Sequence, residues 1–162
     1  MESSMFSYQS NDPQGLPELK FCEAVKVCFK KYVDFTGRAR RSEYWSFMVF
    51  TGLLALVSRF LDGLLDDWFG IEVLRMLAGY IVLLPSVAVA VRRLHDTGRS
   101  GWWMAPVIVM FLVTLVVTDC FDAHVRDEIM LIYMFYSLVL IVFFLQDSRH
   151  GENQYGPSPK YP

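Results

Sequence analysis

The sequence has few of the residues from which metal and cofactor sites are built. It contains three cysteines and three histidines. Cys22, Cys28 and Cys120 show no metal-ligand spacing and cannot all pair with one another as disulfides. We interpret Cys22 and Cys28 as reduced thiols on the apolar face of a cytosolic helix, and Cys120 as an unpaired residue near the end of a span. We expect no metal, no cofactor and no catalytic residue, and predict that the protein is not an enzyme.

The sequence also lacks an excess of charge and lacks charge inside its apolar runs. The formal net charge is −2, so no overall basic field favours nucleic acid as a partner. No Asp, Glu, Lys or Arg lies at the midpoint of an apolar run, whereas ion pathways and proton relays normally need ionisable groups within the membrane. A transporter made of one chain is therefore disfavoured, although an oligomer could still enclose a pore.

Long apolar runs are what the sequence has in abundance. Hydrophobic residues make up 54% of the chain, too many for a soluble domain of 162 residues. Four runs, at about 44–61, 72–91, 102–118 and 129–145, have the length of membrane spans. They predict an all-α integral membrane four-helix bundle within residues 37–146, with a kink at Pro85. The chain does not start with a basic stretch and an apolar core, so we expect the first span to act as the insertion signal.

Polar segments flank this membrane domain. Residues 1–16 are predicted to be a disordered tail, and residues 147–162 a polar cytoplasmic tail whose prolines exclude a regular helix. Residues 17–36 combine aromatic residues on one side with lysines on the other, which predicts an amphipathic helix in the headgroup plane. The alternative is a helix whose apolar face packs on neighbouring protein. Gly37 is expected to end this helix in the left-handed conformation.

The basic residues predict the orientation of the spans. Three of them, Arg59, Arg75 and Arg126, lie on one side of the predicted membrane. Twelve lie on the side of both termini, which should therefore be cytoplasmic in a bacterial inner membrane. These twelve are Lys20, Lys26, Lys30, Lys31, Arg38, Arg40, Arg41, Arg92, Arg93, Arg99, Arg149 and Lys160.

The connection between the second and third spans carries the densest set of candidate functional residues. We expect a collar of arginines at the cytoplasmic interface to contact anionic lipid headgroups, because guanidinium groups suit phosphate and tryptophan anchors the depth. Glycine in this connection allows close approach of the backbone. The alternative is that these charges only set the topology. The candidate residues are Arg38, Arg40, Arg41, Arg92, Arg93, His95, Asp96, Gly98, Arg99, Trp102 and Trp103.

Two local interactions are predicted within this connection. Arg92 and Asp96 are spaced to pair one helical turn apart, and His95 is expected to bond a backbone carbonyl or a headgroup. A His-Asp pair without further ligands is weak support for a metal or an acid-base site. The stretch Thr97–Gly101 lacks the Gly-Lys-Ser/Thr ending of a phosphate-binding loop and follows a membrane helix, not a strand.

Three motifs occur in order along the chain: Phe35–Trp45 (FTGRARRSEYW), Arg92–Trp103 (RRLHDTGRSGWW) and Asn153–Pro159 (NQYGPSP). Together they resemble the bacterial inner-membrane family called domain of unknown function 805, over roughly residues 21–159. A mild departure is Gly151-Glu152-Asn153, where the family usually has a Gly-Thr-Asn-like approach. The resemblance implies a small inner-membrane protein with no established activity, and it names no catalytic residues.

These observations predict a non-catalytic membrane component that contacts lipid or binds a partner. Membrane lipids with anionic headgroups are the expected ligands, and a homo-oligomer or another membrane protein is a possible partner. The alternative function is a subunit of a small oligomeric channel or transporter.

Overall fold

The computed structural model describes residues 19–69, 73–117 and 123–161, which form five α-helices and one short 3-10 helix. The helices are α1 (Phe21–Lys30), α2 (Arg41–Phe69), α3 (Val73–Asp96), α4 (Ala105–Val117) and α5 (Ala123–Leu145), and the 3-10 turn Gly101–Met104 leads into α4. These described ranges contain no β-strand, only an isolated bridge between Asn153 and Gly156. The all-α prediction is confirmed. The predicted tail 1–16 and Cys120 lie outside the described residues.

Three helical segments are long and apolar enough to cross a membrane: Arg41–Leu64, Leu74–Asp96 and Asp127–Leu145. They contain most of the predicted spans 44–61, 72–91 and 129–145. The predicted span 102–118 coincides with a shorter apolar helix, Gly101–Val113, and its last residue is outside the described ranges. Helix α3 continues past residue 91 to Asp96, so the first part of the predicted connection is helical.

The helices expose apolar side chains along most of their length and bury them mainly near one end. Leu56, Tyr80 and Phe135 are among the exposed large side chains, as expected for helices surrounded by lipid. At the other extreme, Phe47 and Leu94 are fully buried. This well-packed region lies where α2 begins and where α3 and α5 finish, and we call it the polar end because charged residues are buried beside it.

At the opposite end of helices α2 and α3, a carboxylate of α2 connects it to α3. Asp62 of α2 accepts the backbone N–H of Leu74 at 3.0 Å and that of Arg75 at 2.9 Å. The first N–H groups of a helix have no partner within it, and an anion near them is favourable. Asp62 therefore caps α3 from the neighbouring helix.

Helix α1 is shorter than the predicted segment 17–36, because Lys31 leaves the helical conformation after Lys30. Its apolar side faces protein. Ala24 and Cys28 are fully buried, and the ring of Phe29 packs edge-on against Phe47 of α2 with centroids 5.6 Å apart. The apolar side of α1 thus packs on α2, the alternative arrangement for this segment, and membrane-surface binding by α1 stays a prediction.

The proline in α3 explains a contact that the sequence did not suggest. Pro85 lies inside the helix and has no N–H, so the carbonyl of Ile81, four residues earlier, loses its helical donor. The hydroxyl of Tyr32 donates to this carbonyl oxygen at 2.7 Å. A residue just beyond α1 therefore satisfies the backbone group that the proline leaves open.

This contact predicts that the effect of Tyr32→Phe depends on Pro85. Removing the hydroxyl should lower the free energy of unfolding by about 1 kcal/mol, because the carbonyl of Ile81 loses its donor. In a Pro85→Ala background the new N–H can bond Ile81, and the same change should cost only a few tenths of a kcal/mol. Unfolding by denaturing detergent on the four proteins of this double-mutant cycle measures both values. If Tyr32→Phe lowers the free energy of unfolding equally in both backgrounds, the hydroxyl does not compensate for the N–H that Pro85 lacks.

Candidate functional site

Three separate stretches of the chain meet at the polar end. The N–H of Ala39 donates to the carbonyl of Arg92 at 3.0 Å, which joins the segment before α2 to the end of α3. The N–H of Arg149 donates to the carbonyl of Asp96 at 3.2 Å, which joins the C-terminal tail to the same helix. These three stretches therefore belong to one structural unit.

Asp96 is the centre of this unit. Its side chain is fully buried, and its Oδ1 accepts Nε of Arg38 at 3.0 Å. Its Oδ2 accepts the hydroxyl of Ser148 at 2.5 Å and also forms an ion pair with Arg93. One carboxylate therefore binds one partner from each of the three stretches. Buried charges are tolerated when they are paired and hydrogen-bonded in this way.

The two arginines that pair with Asp96 also bind carbonyl groups of the tail. Arg38 donates to the carbonyls of Arg149 at 2.6 Å and Gly151 at 2.8 Å. Arg93 donates to the carbonyl of Gln146, which directly follows α5. A guanidinium group offers five N–H donors in a fixed geometry. Each arginine therefore donates to several backbone carbonyls that have no hydrogen-bond partner within a helix. The residues after Leu145 are thus held on the bundle by donors from distant parts of the chain.

His95 takes part in the same unit through backbone and ring contacts. Its Nδ1 lies 3.1 Å from the carbonyl oxygen of Gly37, which confirms the expected backbone partner. The ring of His95 stacks on that of Tyr155 with centroids 3.7 Å apart. The backbone carbonyl of His95 accepts a hydrogen bond from the side-chain amide of Asn153 at 2.9 Å. Within the described ranges, no three His, Cys, Asp or Glu residues are grouped closely enough to hold a metal ion.

The predicted pairing of Arg92 with Asp96 is wrong. Nη1 of Arg92 lies 2.7 Å from Oε1 of Glu43 on α2, and both side chains are almost entirely buried. Asp96 is instead turned toward Arg38 and Arg93. Arg92 thus pairs with a residue of another helix, whereas Asp96 pairs with Arg93 of its own helix and with Arg38 from the segment before α2. The Arg92–Glu43 contact is therefore a buried ion pair between α3 and α2.

Cys28 of α1 lies against this second ion pair. Its Sγ is 3.9 Å from Oε1 of Glu43. Burial, reinforced by the negative charge of Glu43, raises the pKa of Cys28 to about 12. Because the thiolate is the reactive form, this thiol is inert at neutral pH. Cys22 is exposed instead of lying on the apolar face where the sequence placed it, and neither cysteine is in a disulfide.

The glycines with positive φ include Gly37, for which the sequence predicted a left-handed backbone, and Gly98. Gly37 has φ +74°, the left-handed conformation expected of it, but α1 ends at Lys30, so the prediction that Gly37 ends this helix is wrong. Gly98 has φ +79° at the end of α3. The N–H of Gly98 bonds the carbonyl of His95 at 3.0 Å, and that of Arg99 bonds Leu94 at 2.9 Å, which is the Schellman pattern of a helix end. A Cβ on Gly98 would lie 2.7 Å from Nη1 of Arg149. The close approach at Gly98 is therefore made by the tail.

The remaining candidate residues lie at the surface of the polar end. The guanidinium of Arg99 lies 4.0 Å from the ring centroid of Phe143 and donates to the side chain of Gln146 at 2.7 Å. Trp102 is 82% exposed, and Trp103 packs edge-on against Phe143 at 5.1 Å. The structure thus divides the predicted collar in two. Arg38, Arg92 and Arg93 are buried against protein, whereas Arg40, Arg41 and Arg99 are accessible.

Two of the accessible arginines line an open polar pocket of about 260 Å³ at the start of α2. Asp147 and Lys160, both from the tail, form an ion pair across it at 2.8 Å. The hydrogen bond from Lys160 lowers the pKa of Asp147, and Asp147 raises the pKa of Lys160. The side chains that line the pocket thus include three cationic groups and one carboxylate. Its lining is Arg40, Arg41, Ser42, Trp45, Asp147, Ser148 and Lys160.

Sequence reasoning missed the polar residues that complete the unit. Glu43 and Ser148 bind buried arginine or aspartate, and Asp147 and Lys160 shape the pocket. The signal available for the tail was its motif Asn153–Pro159, which contributes Asn153 and Tyr155. Nothing in the local pattern indicated what these residues bind.

Comparison with known proteins identifies relatives of the chain. The family model described as "Protein of unknown function (DUF805)" matches residues 32–157. "Inner membrane protein YhaH" of Escherichia coli strain K12 is 36% identical over 137 residues, which cover 81% of this chain and 91% of that protein. "Inner membrane protein YhaI" of the same strain is 35% identical over 134 residues, covering 82% and 91%. No solved structure matches the chain.

The matched range begins at Tyr32 and ends within the tail motif, so it includes all the segments that meet at the polar end. Together with the helices long enough to cross a bilayer, these matches identify the chain as a member of the DUF805 family of bacterial membrane proteins.

Proposed function

We propose that this protein is a non-catalytic inner-membrane component with four spans that binds an anionic lipid headgroup at its polar end. The observation that carries the proposal is the pocket at the start of α2, where Arg40 and Arg41 adjoin Ser42 and Trp45. The arginines offer planar donors for phosphate. Tryptophan is typical of the membrane-water boundary, so Trp45 supports a position of the pocket at headgroup depth.

The path of the chain supports four crossings. Helices α3 and α5 both finish at the polar end, where Arg93 bonds the carbonyl of Phe144 at 3.3 Å. Helix α5 has 23 residues, about 35 Å at 1.5 Å per residue, so it begins near the opposite membrane surface. Trp103 is also at the polar end, against Phe143. These positions support a fourth crossing by the segment that contains α4.

The distribution of basic residues supports a cytoplasmic polar end with both termini on that side. Exposed Cys22 gives a direct test in a Cys120→Ser background. A membrane-impermeant maleimide should label Cys22 in inverted membrane vesicles and not in spheroplasts. Cys28 should stay unlabelled in both until the protein is unfolded, because its raised pKa leaves roughly a thousandfold less thiolate at neutral pH. Labelling of Cys22 in spheroplasts would contradict this orientation.

The pocket predicts which arginines retain lipid. Arg40→Gln together with Arg41→Gln should reduce co-purifying phosphatidylglycerol about tenfold, because charge-assisted bonds to phosphate are lost. Lys26→Gln with Lys30→Gln is the matched control: it removes the same charge from the same side of the membrane, at exposed positions on α1. Native mass spectrometry in mild detergent measures bound lipid for all three proteins. Equal losses in both double variants would mean that only total charge matters, and the pocket would not be a lipid site.

A further inference from the structure

A second, apolar cavity of about 360 Å³ lies among the helices next to the polar pocket. Its volume is within the range of about 300–1,000 Å³ typical of small-molecule sites. Helices α2, α3 and α5 and the start of α4 each contribute side chains to it. Most of the lining side chains are apolar, among them Met48, Val107 and Leu140, and the hydroxyl of Ser86 bonds the carbonyl of Val82 in its own helix at 2.6 Å. The cavity is therefore suited to a hydrocarbon ligand.

The two spaces follow one another along α2 and α5. Arg41, Ser42 and Trp45 line the polar pocket, whereas Tyr44 and Met48 line the apolar cavity. Met48 lies seven residues beyond Arg41, about 10 Å further along the helix axis. On α5 the order is the same, because Phe144 lines the cavity and the following Asp147 and Ser148 line the pocket. The cationic pocket thus lies nearer the polar end than most of the apolar cavity does.

We propose that the two spaces form one binding site for a single anionic phospholipid, with its phosphate in the polar pocket and one acyl chain in the apolar cavity. This inference rests on the proposed headgroup function and names its ligand class. A cationic pocket alone suits any phosphate. The adjoining apolar cavity favours an amphiphile over a free phosphate, because a free phosphate has no hydrocarbon part to occupy the space between the apolar side chains.

The matched pair Val107→Phe and Val109→Phe tests the acyl-chain part. Both are the same change on α4, but Val107 lines the cavity and Val109 is 56% exposed on another side of the helix. Purified full-length variants are incubated with phosphatidylglycerol and, separately, with glycerol 3-phosphate. Val107→Phe should reduce retained phosphatidylglycerol about tenfold by filling the cavity, Val109→Phe should retain the wild-type amount, and glycerol 3-phosphate should bind more weakly than the lipid.

The outcomes separate this inference from the headgroup proposal. If Arg40→Gln with Arg41→Gln loses the lipid while Val107→Phe keeps it, the headgroup pocket stands and the acyl-chain site is wrong. If the arginine variant keeps the lipid, both proposals fail. Glycerol 3-phosphate binding as tightly as phosphatidylglycerol would also overturn the acyl-chain site.

A measurement on the wild-type protein tests the site even if a variant fails to fold. Phosphatidylglycerol with a diazirine near the end of one chain is bound and irradiated, and the modified residues are mapped by mass spectrometry. The site predicts modification of cavity residues such as Met48, Val107 and Tyr133. Modification confined to outward-facing residues such as Phe135 and Leu138 would overturn it.

Discussion

Replacing Asp96 with asparagine should destabilise the protein by about 3–5 kcal/mol, because it leaves the buried charges of Arg38 and Arg93 without their shared carboxylate. Because Arg38 and Arg93 also hold the tail, the tail should be released as well. Reversible unfolding in denaturing detergent measures the stability. Asp127→Asn is the control, since Asp127 is exposed on α5 and its change should stay within about 0.5 kcal/mol.

A graded variant extends this prediction. Ser148→Ala removes only the neutral donor to Asp96 and should cost about 1–2 kcal/mol, well below the loss for Asp96→Asn. If Asp96→Asn and Asp127→Asn lower the free energy of unfolding by the same small amount, Asp96 does not organise the polar end.

Replacing Glu43 with glutamine should have an effect of similar size, about 3–5 kcal/mol, because it leaves Arg92 buried without a counter-charge. The ion pair as a whole need not be stabilising, since removing two charges from water is costly. The double change Glu43→Leu with Arg92→Met should therefore recover most of the stability that Glu43→Gln loses. The same unfolding measurement on the three proteins provides the comparison.

The double variant decides how this pair acts. Recovery of stability would show that the penalty comes from the unpaired charge. If the double variant is at least as unstable as Glu43→Gln, the ion pair has a positive role that apolar packing does not replace, and the unpaired charge of Arg92 is not the cause of the loss.

The helices were predictable because lipid imposes a simple rule on sequence. A spanning segment must be apolar and must satisfy its own backbone, so the runs at 44–61 and 129–145 stand out from their composition. The left-handed conformation of Gly37 is similarly local, because glycine adopts it without steric cost, although α1 ends earlier, at Lys30. These features depend on neighbours in the sequence, and no knowledge of tertiary contacts is needed to find them.

The organisation of the polar end was not predictable in the same way. Arginines at a membrane entrance are common for reasons of topology, so nothing distinguished Arg38, Arg92 and Arg93, which are buried, from Arg41, which is exposed. The partner of Arg92 was mispredicted because spacing along one helix ignored Glu43 on another. Only the convergence of three segments determines these contacts.

The C-terminal tail shows the same limitation. Its prolines and polar residues suggested a segment without regular structure, and it does contain no helix from residue 146 to 161. Its order comes from donors such as Arg38, more than a hundred residues earlier in the chain. Composition predicts the absence of a helix but does not identify such donors.

Hydrogen exchange across residues 147–156 tests the central claim most directly, namely that three separate segments fold into one polar unit. The N–H groups of Arg149, Asn153 and Gly156 are all hydrogen-bonded to backbone carbonyls. We predict that their exchange in the wild-type protein is strongly slowed, and that Asp96→Asn restores rapid exchange without affecting the middle of α3. Exchange of this segment at the rate of an unstructured peptide in the wild-type protein would contradict the claim.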